Sequence, residues 1–162
     1  MATVTLTKDT FEESVTGNDI VLVDFWASWC GPCKMFAPVF ERSSDRHPEI
    51  TFGKVDTEDQ PDLAGAFGIM SIPTLMIFRD QVLVFARPGM VPATALDDLL
   101  DQVKALDMDD VRARIAAEEA AGQEDGQAAK GGDGEDAAQG DDRDDAGGDA
   151  KDGGQSTPQS DR

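Results

Sequence analysis

Between Ile20 and Trp26 the chain reads Ile-Val-Leu-Val-Asp-Phe-Trp, almost continuously apolar. That is the pattern of a strand covered on both faces, at the centre of a sheet. One acid, Asp24, interrupts it and needs a reason. Before it, Val4-Thr5-Leu6 alternates as a short strand, and Asp9 with Glu12 has the spacing of a capping box ahead of a short helix ending near Gly17. After it, Met35, Phe36, Val39 and Phe40 make an i, i+1, i+4, i+5 helical face suited to core packing. Pro38 falls inside that helix and predicts a kink rather than a stop, with the end before His47-Pro48. Ile50–Val55 reads as the next strand, followed by an acidic loop over 56–59 and a short helix from Pro61 to Phe67. Thr74–Phe78 and Gln81–Ala86 are separated by little more than Arg79-Asp80, which allows only an antiparallel hairpin. Leu96, Leu99, Leu100, Val103 and Leu106 then form one apolar stripe at helical spacing.

The predicted order is β-α-β-α-β-α-β-β-α. It implies an α/β fold of three layers, α/β/α, in which a central mixed sheet has parallel crossovers and a closing antiparallel hairpin. One domain accounts for residues 1–107. Asp107 is placed to cap a short C-terminal helix over 108–121 that uses Met108, Val111 and Ile115. From Ala116 to Arg162 the chain has no Val, Ile, Leu, Met, Phe or Trp, so these 47 residues have nothing large to bury. Residues 122–162, rich in Gly, Asp and Ala, are expected to form a disordered acidic tail.

The net charge of -19 divides almost evenly: 8 Lys/Arg against 17 Asp/Glu in residues 1–108, and 6 against 16 in residues 109–162. Neither part offers a basic face, which argues against nucleic acid or anionic membrane as a partner. The opening Met-Ala-Thr-Val-Thr-Leu-Thr-Lys-Asp-Thr lacks a basic and then apolar leader pattern, and no segment approaches a membrane span. The expectation is a soluble cytoplasmic monomer. In the tail, Gly131 to Asp136 resembles the start of a calcium-binding nonapeptide, but no second copy follows. Asp142 and Asp144 suggest an EF-hand loop, yet Ala146 and Gly153 occupy ligand positions. Both read as accidents of composition.

Both cysteines of the chain, Cys30 and Cys33, lie in Trp-Cys-Gly-Pro-Cys-Lys. A permanent staple across two residues would constrain an unfolded chain little, and a reducing compartment disfavours it. A metal site needs about four ligands, and the chain adds only His47, which lies at the far end of the helix that starts beside Cys33. Redox exchange accounts for the residues without additions. Cys30 stands where a strand meets a helix N-terminus, which stabilises a thiolate, and Cys33 is one turn further in and expected to be more buried.

Trp26 through Lys34 resembles the redox sequence of the thioredoxin family, and distant positions agree with it. Asp24 stands six residues before Cys30, where the family has a buried acid, and Lys54 matches the lysine beside that acid. Ile72-Pro73-Thr74 resembles the family's cis-proline turn, and Gly89 its substrate-facing glycine. The likeness spans about residues 3 to 106 and implies a thioredoxin fold. It further implies a protein-disulfide reductase in which Cys30 attacks a client disulfide, Cys33 resolves the mixed disulfide, and Asp24, moderated by Lys54, accepts the proton of Cys33. Burial is expected to raise the pKa of Asp24.

Trp29, Gly31, Pro32, Ile72, Pro73, Gly89 and Met90 would then make an apolar landing surface for an extended client. Trp26 is expected to support the helix from below, and Lys34 to be exposed. The resemblance implies no bound cofactor, and no G-x-G-x-x-G fingerprint for a nucleotide is present; electrons would come from a partner such as thioredoxin reductase. Pro88 before Gly89, and the missing glycine in Arg79-Asp80-Gln81, depart from the family pattern. The alternative is an adaptor or chaperone module of the same fold whose acidic tail binds a basic partner.

Overall fold

The apolar segment Ile20–Trp26 forms β2, the middle strand of a five-stranded sheet, in a computed structural model that describes residues 3–127. The strands β1 (Thr3–Thr5), β3 (Thr51–Asp56), β4 (Thr74–Arg79) and β5 (Val82–Pro88) complete it in the order β1-β3-β2-β4-β5. β1 and β2 each run parallel to β3, while β4 is antiparallel to both β2 and β5. The sheet is therefore mixed, and β2 has a partner on each side. Every residue from Ile20 to Phe25 is buried, which is why the segment carries no alternation.

Alternate residues of β2 feed two different cores. Ile20 and Leu22 face Phe36 and Phe40 of α2 (Gly31–Arg46) and Leu96, Leu100 and Val103 of α4 (Ala93–Ala105). Val21, Val23 and Phe25 face Phe11 and Val15 of α1 (Lys8–Thr16) and Leu63 of α3 (Pro61–Ala66). Helices thus cover both faces, giving three layers. Aromatic rings seal each side: Phe40 meets Phe52 edge-on at 5.1 Å, and Phe11, Phe25 and Phe78 gather around Phe67.

Local details differ from expectation in three places. α1 is capped two residues earlier than the Asp9/Glu12 spacing suggests: the Thr7 backbone N–H donates to Thr10 Oγ1 at 3.0 Å, and Asp9 lies in the first turn. Leu6 is still held to β3 by its N–H to the Lys54 carbonyl at 2.8 Å, so Thr7 is the first residue free to turn. The β4–β5 turn manages without glycine by placing Asp80 and Gln81 at φ of 48° and 70°, the left-handed pair that a tight hairpin needs.

The third difference is α5, which runs from Met108 to Gln127 rather than ending near residue 121. Asp107 Oδ1 accepts from the N–H groups of Asp109 and Asp110, and Met108 is buried. Beyond Ile115 the helix has no large apolar residue, but Ala, Glu and Gln are strong helix formers by themselves. Lacking residues to bury removes a reason to dock, not a reason to coil. The expectations for the tail after residue 127, including both calcium-like pieces, lie outside the described residues.

Gly53 in β3 has Leu6 where a side chain would begin: an added Cβ would overlap Leu6 Cδ1 and Cγ, and Leu6 is buried. Gly53→Ala is expected to cost about 1–3 kcal/mol by overpacking. Urea midpoints of Gly53→Ala, Leu6→Ala and the double variant check this, with the double variant losing less than the sum of the singles.

Candidate active site

At the end of β2 the chain passes through buried Ala27 and exposed Ser28 and Trp29 before α2 begins. Cys30 is the N-cap of α2, in extended conformation at φ -81°, ψ 110°, and Pro32 occupies the first turn, where its missing N–H costs no helix bond. Cys30 and Cys33 form a disulfide with Cα atoms 5.3 Å apart. The Cys33 backbone N–H donates to Cys30 Sγ at 3.2 Å, so the helix start already directs a donor at that sulfur. In this form both cysteines are enclosed, with Cys30 4% and Cys33 3% exposed. Cys30 is covered because its Sγ lies 3.7 Å from the Ile72 carbonyl oxygen, with Ile72 and Trp26 packed against the pair.

Asp24 sits on the same face of β2 as Ile20 and Leu22, the face covered by α2. Its cross-strand neighbours are Lys54 and Leu75. It is 1% exposed, and neither carboxylate oxygen has a hydrogen-bond partner. The Lys54 ammonium lies 5.0 Å over the Trp26 ring.

The Ile72–Pro73 peptide is cis. Gly89 N–H donates to the Pro73 carbonyl at 2.8 Å, and Gly89 takes φ 97°, a conformation that side chains rarely adopt. This bond brings the β5–α4 loop against the proline turn, which in turn lies against Cys30. Trp29, Gly31, Pro32, Gly89 and Met90 are exposed, Ile72 is half-buried and Pro73 is buried. Trp29 and Ile72 line a groove of 320 Å³ with Thr57, Ala64, Met70 and Ser71. Met90 lines a second, of 280 Å³, with Met35 and Val39 of α2.

The family model described as Thioredoxin matches residues 2–102. The chain belongs to the thioredoxin family. A Streptomyces coelicolor protein provisionally designated thioredoxin 2 is 58% identical over 119 residues, covering 74% of this chain and 89% of its own length. The thioredoxin of Alicyclobacillus acidocaldarius is 43% identical over 103 residues, 63% of this chain and 98% of that one. A mutant thioredoxin from Halobacterium salinarum NRC-1 superposes with a TM-score of 0.59 at 33% identity, over 62% of this chain and 88% of that chain. With the paired cysteines at disulfide distance, this thioredoxin-family chain is a thiol–disulfide oxidoreductase acting on protein disulfides. Among the described residues no cluster of three or more His, Cys, Asp or Glu could hold a metal ion. No described helix is long and apolar enough to cross a membrane.

Two features of the thioredoxin site have no forewarning in the sequence. Trp29 Nε1 donates to Glu58 Oε1 at 2.9 Å, which orients the indole across the groove. Met70 stands 97% exposed on the same groove. Met35, expected in the core, is instead 67% exposed: the buried face of α2 is centred on Cys33, Phe36 and Phe40, and Met35 falls at the edge of that face. An apolar stripe shows only that a helix face is apolar, and the neighbouring 280 Å³ groove is what occupies that face. His47 is a helix-end residue, tied to Asp97 and to Lys104 at the far end of α2.

Burial pushes the Asp24 pKa from 3.8 up to about 7, and the nearby Lys54 charge pulls it partly back. The native state therefore keeps a proton between pH 3.8 and about 7 that the unfolded chain has already lost. Stability falls as pH rises through that window and carries the full penalty, about 4 kcal/mol, above it. Asp24→Asn is expected to stabilise the disulfide form by up to about 4 kcal/mol at pH 8 and to change it little at pH 4. Denaturant midpoints at the two pH values measure the difference.

Proposed function

We propose that the chain reduces client disulfides in two exchange steps, with Cys30 as nucleophile and Cys33 as resolving thiol. The Cys30 thiolate, favoured by the α2 N-terminus, attacks one sulfur of the client disulfide. That bond breaks, one client sulfur leaves as thiolate, and the other is held to Cys30 as a mixed disulfide. Cys33, deprotonated, attacks Cys30 Sγ and expels the second client thiolate, leaving the Cys30–Cys33 disulfide. Two electrons pass to the client. Asp24 accepts the Cys33 proton, and Lys54 keeps enough of Asp24 ionised near neutral pH to do so. Gly31 and Pro32 hold the short turn between the sulfurs. The observation that carries this reading is a buried carboxylate without partners, titrating near neutrality on the sheet face that α2 covers.

Trp29, Ile72, Pro73, Gly89 and Met90 receive an extended client segment beside Cys30. The cleft between the proline turn and Trp29 supports this, as does the freedom of the Ile72 carbonyl from any strand partner. Electrons return from a partner reductase, a thioredoxin reductase by family expectation, and no resident cofactor is required. Residues 1–107 act as the catalytic domain, as a cytoplasmic monomer, with α5 as an accessory helix and the acidic residues that follow it acting to keep the protein in solution.

In dithiol-driven turnover, Cys30→Ser is expected to reduce insulin disulfides at the background rate. Cys33→Ser should capture clients as mixed disulfides that added thiol releases. An adaptor would instead retain the same partners after both cysteines are removed, and that outcome would overturn the exchange reading.

A further inference from the structure

Five of the six methionines lie in the described residues, and their exposure is sharply divided. Met76 and Met108 are buried, whereas Met35, Met70 and Met90 are 67%, 97% and 46% exposed. All three exposed ones stand at the redox site. Met70 shares the 320 Å³ groove with Trp29 and Ile72, and Met35 and Met90 share the 280 Å³ groove beside the first turns of α2. Met35 follows Cys33 by two residues, and Met90 follows the glycine that is hydrogen-bonded to Pro73. The rim of the site therefore carries three flexible, polarisable thioethers, side chains that adapt to differently shaped apolar partners.

The same sulfurs are chemically vulnerable. With Cys30 and Cys33 joined, neither is a thiolate, and among the described residues the thioethers of Met35, Met70 and Met90 are the nucleophilic sulfurs left facing solvent. We propose that these three methionines are modification sites for hydroperoxides, and that their conversion to sulfoxides turns the apolar docking rim polar and weakens client capture without disabling exchange. This rests on the client-docking reading of Trp29, Ile72 and Met90 given above. In the step, the thioether sulfur attacks one peroxide oxygen, an S–O bond forms, and the O–O bond breaks. Sulfur loses two electrons, and the departing hydroxide takes up the proton and leaves as water. The product is longer, polar and a strong hydrogen-bond acceptor, so it no longer gains by leaving water for an apolar contact. Met76 and Met108, enclosed by the core, should react far more slowly.

The disulfide form of the full chain is treated with hydrogen peroxide, the peroxide is removed, and added oxygen is mapped by peptide mass spectrometry. Dithiol-driven reduction is then measured with insulin and with hydroxyethyl disulfide, which is too small to need the rim. The expected result is oxygen on Met35, Met70 and Met90 before Met76 and Met108, with the insulin KM raised on the order of tenfold. The insulin kcat and the hydroxyethyl disulfide rate should be unchanged. In Met35→Leu/Met70→Leu/Met90→Leu, whatever its starting KM, peroxide should shift nothing. Equal oxidation of the buried methionines, an unmoved KM, or the same KM shift in the leucine variant would overturn the inference. A fall in the small-disulfide rate would overturn it too, by placing the damage in exchange itself. If untreated protein reduces hydroxyethyl disulfide but not insulin, the docking reading fails and this inference with it; if untreated turnover is normal, an unmoved KM defeats this inference alone.

Discussion

A carboxylate held out of water in the central strand is the constraint around which this molecule is arranged. Asp24 belongs to β2, whose other residues up to Phe25 are apolar and buried, and neither of its oxygens finds a donor. An ordinary fold would replace it with a hydrophobe and gain stability over the whole range above its unfolded pKa. A carboxyl whose pKa burial raises to about 7 suits the proton-acceptor role proposed for it. Lys54, one strand away and lying over Trp26, sets how far the penalty goes: close enough to favour the anion, too distant to neutralise it in a hydrogen-bonded pair.

The rest of the architecture supports that arrangement. Two-sided burial of β2 demands helices on both faces, and alternation along it sends even-numbered residues, Asp24 among them, toward α2. The strand ends at Trp26, and a few residues later the chain turns into the helix that carries both cysteines. A helix N-terminus supplies donors and positive potential to Cys30, while the cis Ile72–Pro73 turn and the Gly89 N–H bring two distant loops to the same edge. Acid, thiols and the cis-proline turn thus share one end of the sheet for reasons of topology.

Much of this is legible in the sequence because it follows from local pattern. Continuous apolar character identifies the central strand, and the two-residue link identifies the hairpin; within that frame a lone Asp24 and a Cys-Gly-Pro-Cys turn are conspicuous. Features that depend on tertiary position are not legible. The Asp9/Glu12 spacing is a fair capping signal, yet tethering of Leu6 to β3 moves the cap to Thr7. Met35 obeys the stripe of α2 and is still exposed, because periodicity cannot say which edge of an apolar stripe the sheet covers. Glu58 meets Trp29 across 29 positions of chain, a pairing with no local trace. The helical continuation to Gln127 was hidden for another reason, since counting buriable residues tests docking and not helicity.

The central claim is that Asp24 removes the proton of Cys33 during resolution. A mixed disulfide between Cys30 and a small thiol, preformed and rapidly diluted, allows the release rate to be followed by stopped flow from pH 5.5 to 8.5 in the native protein and in Asp24→Asn. The account predicts a rate that rises through an inflection near pH 7 in the native protein, and in the variant a rate about 10²–10⁴-fold lower at neutral pH without that inflection. Superimposable profiles of the two proteins would contradict it.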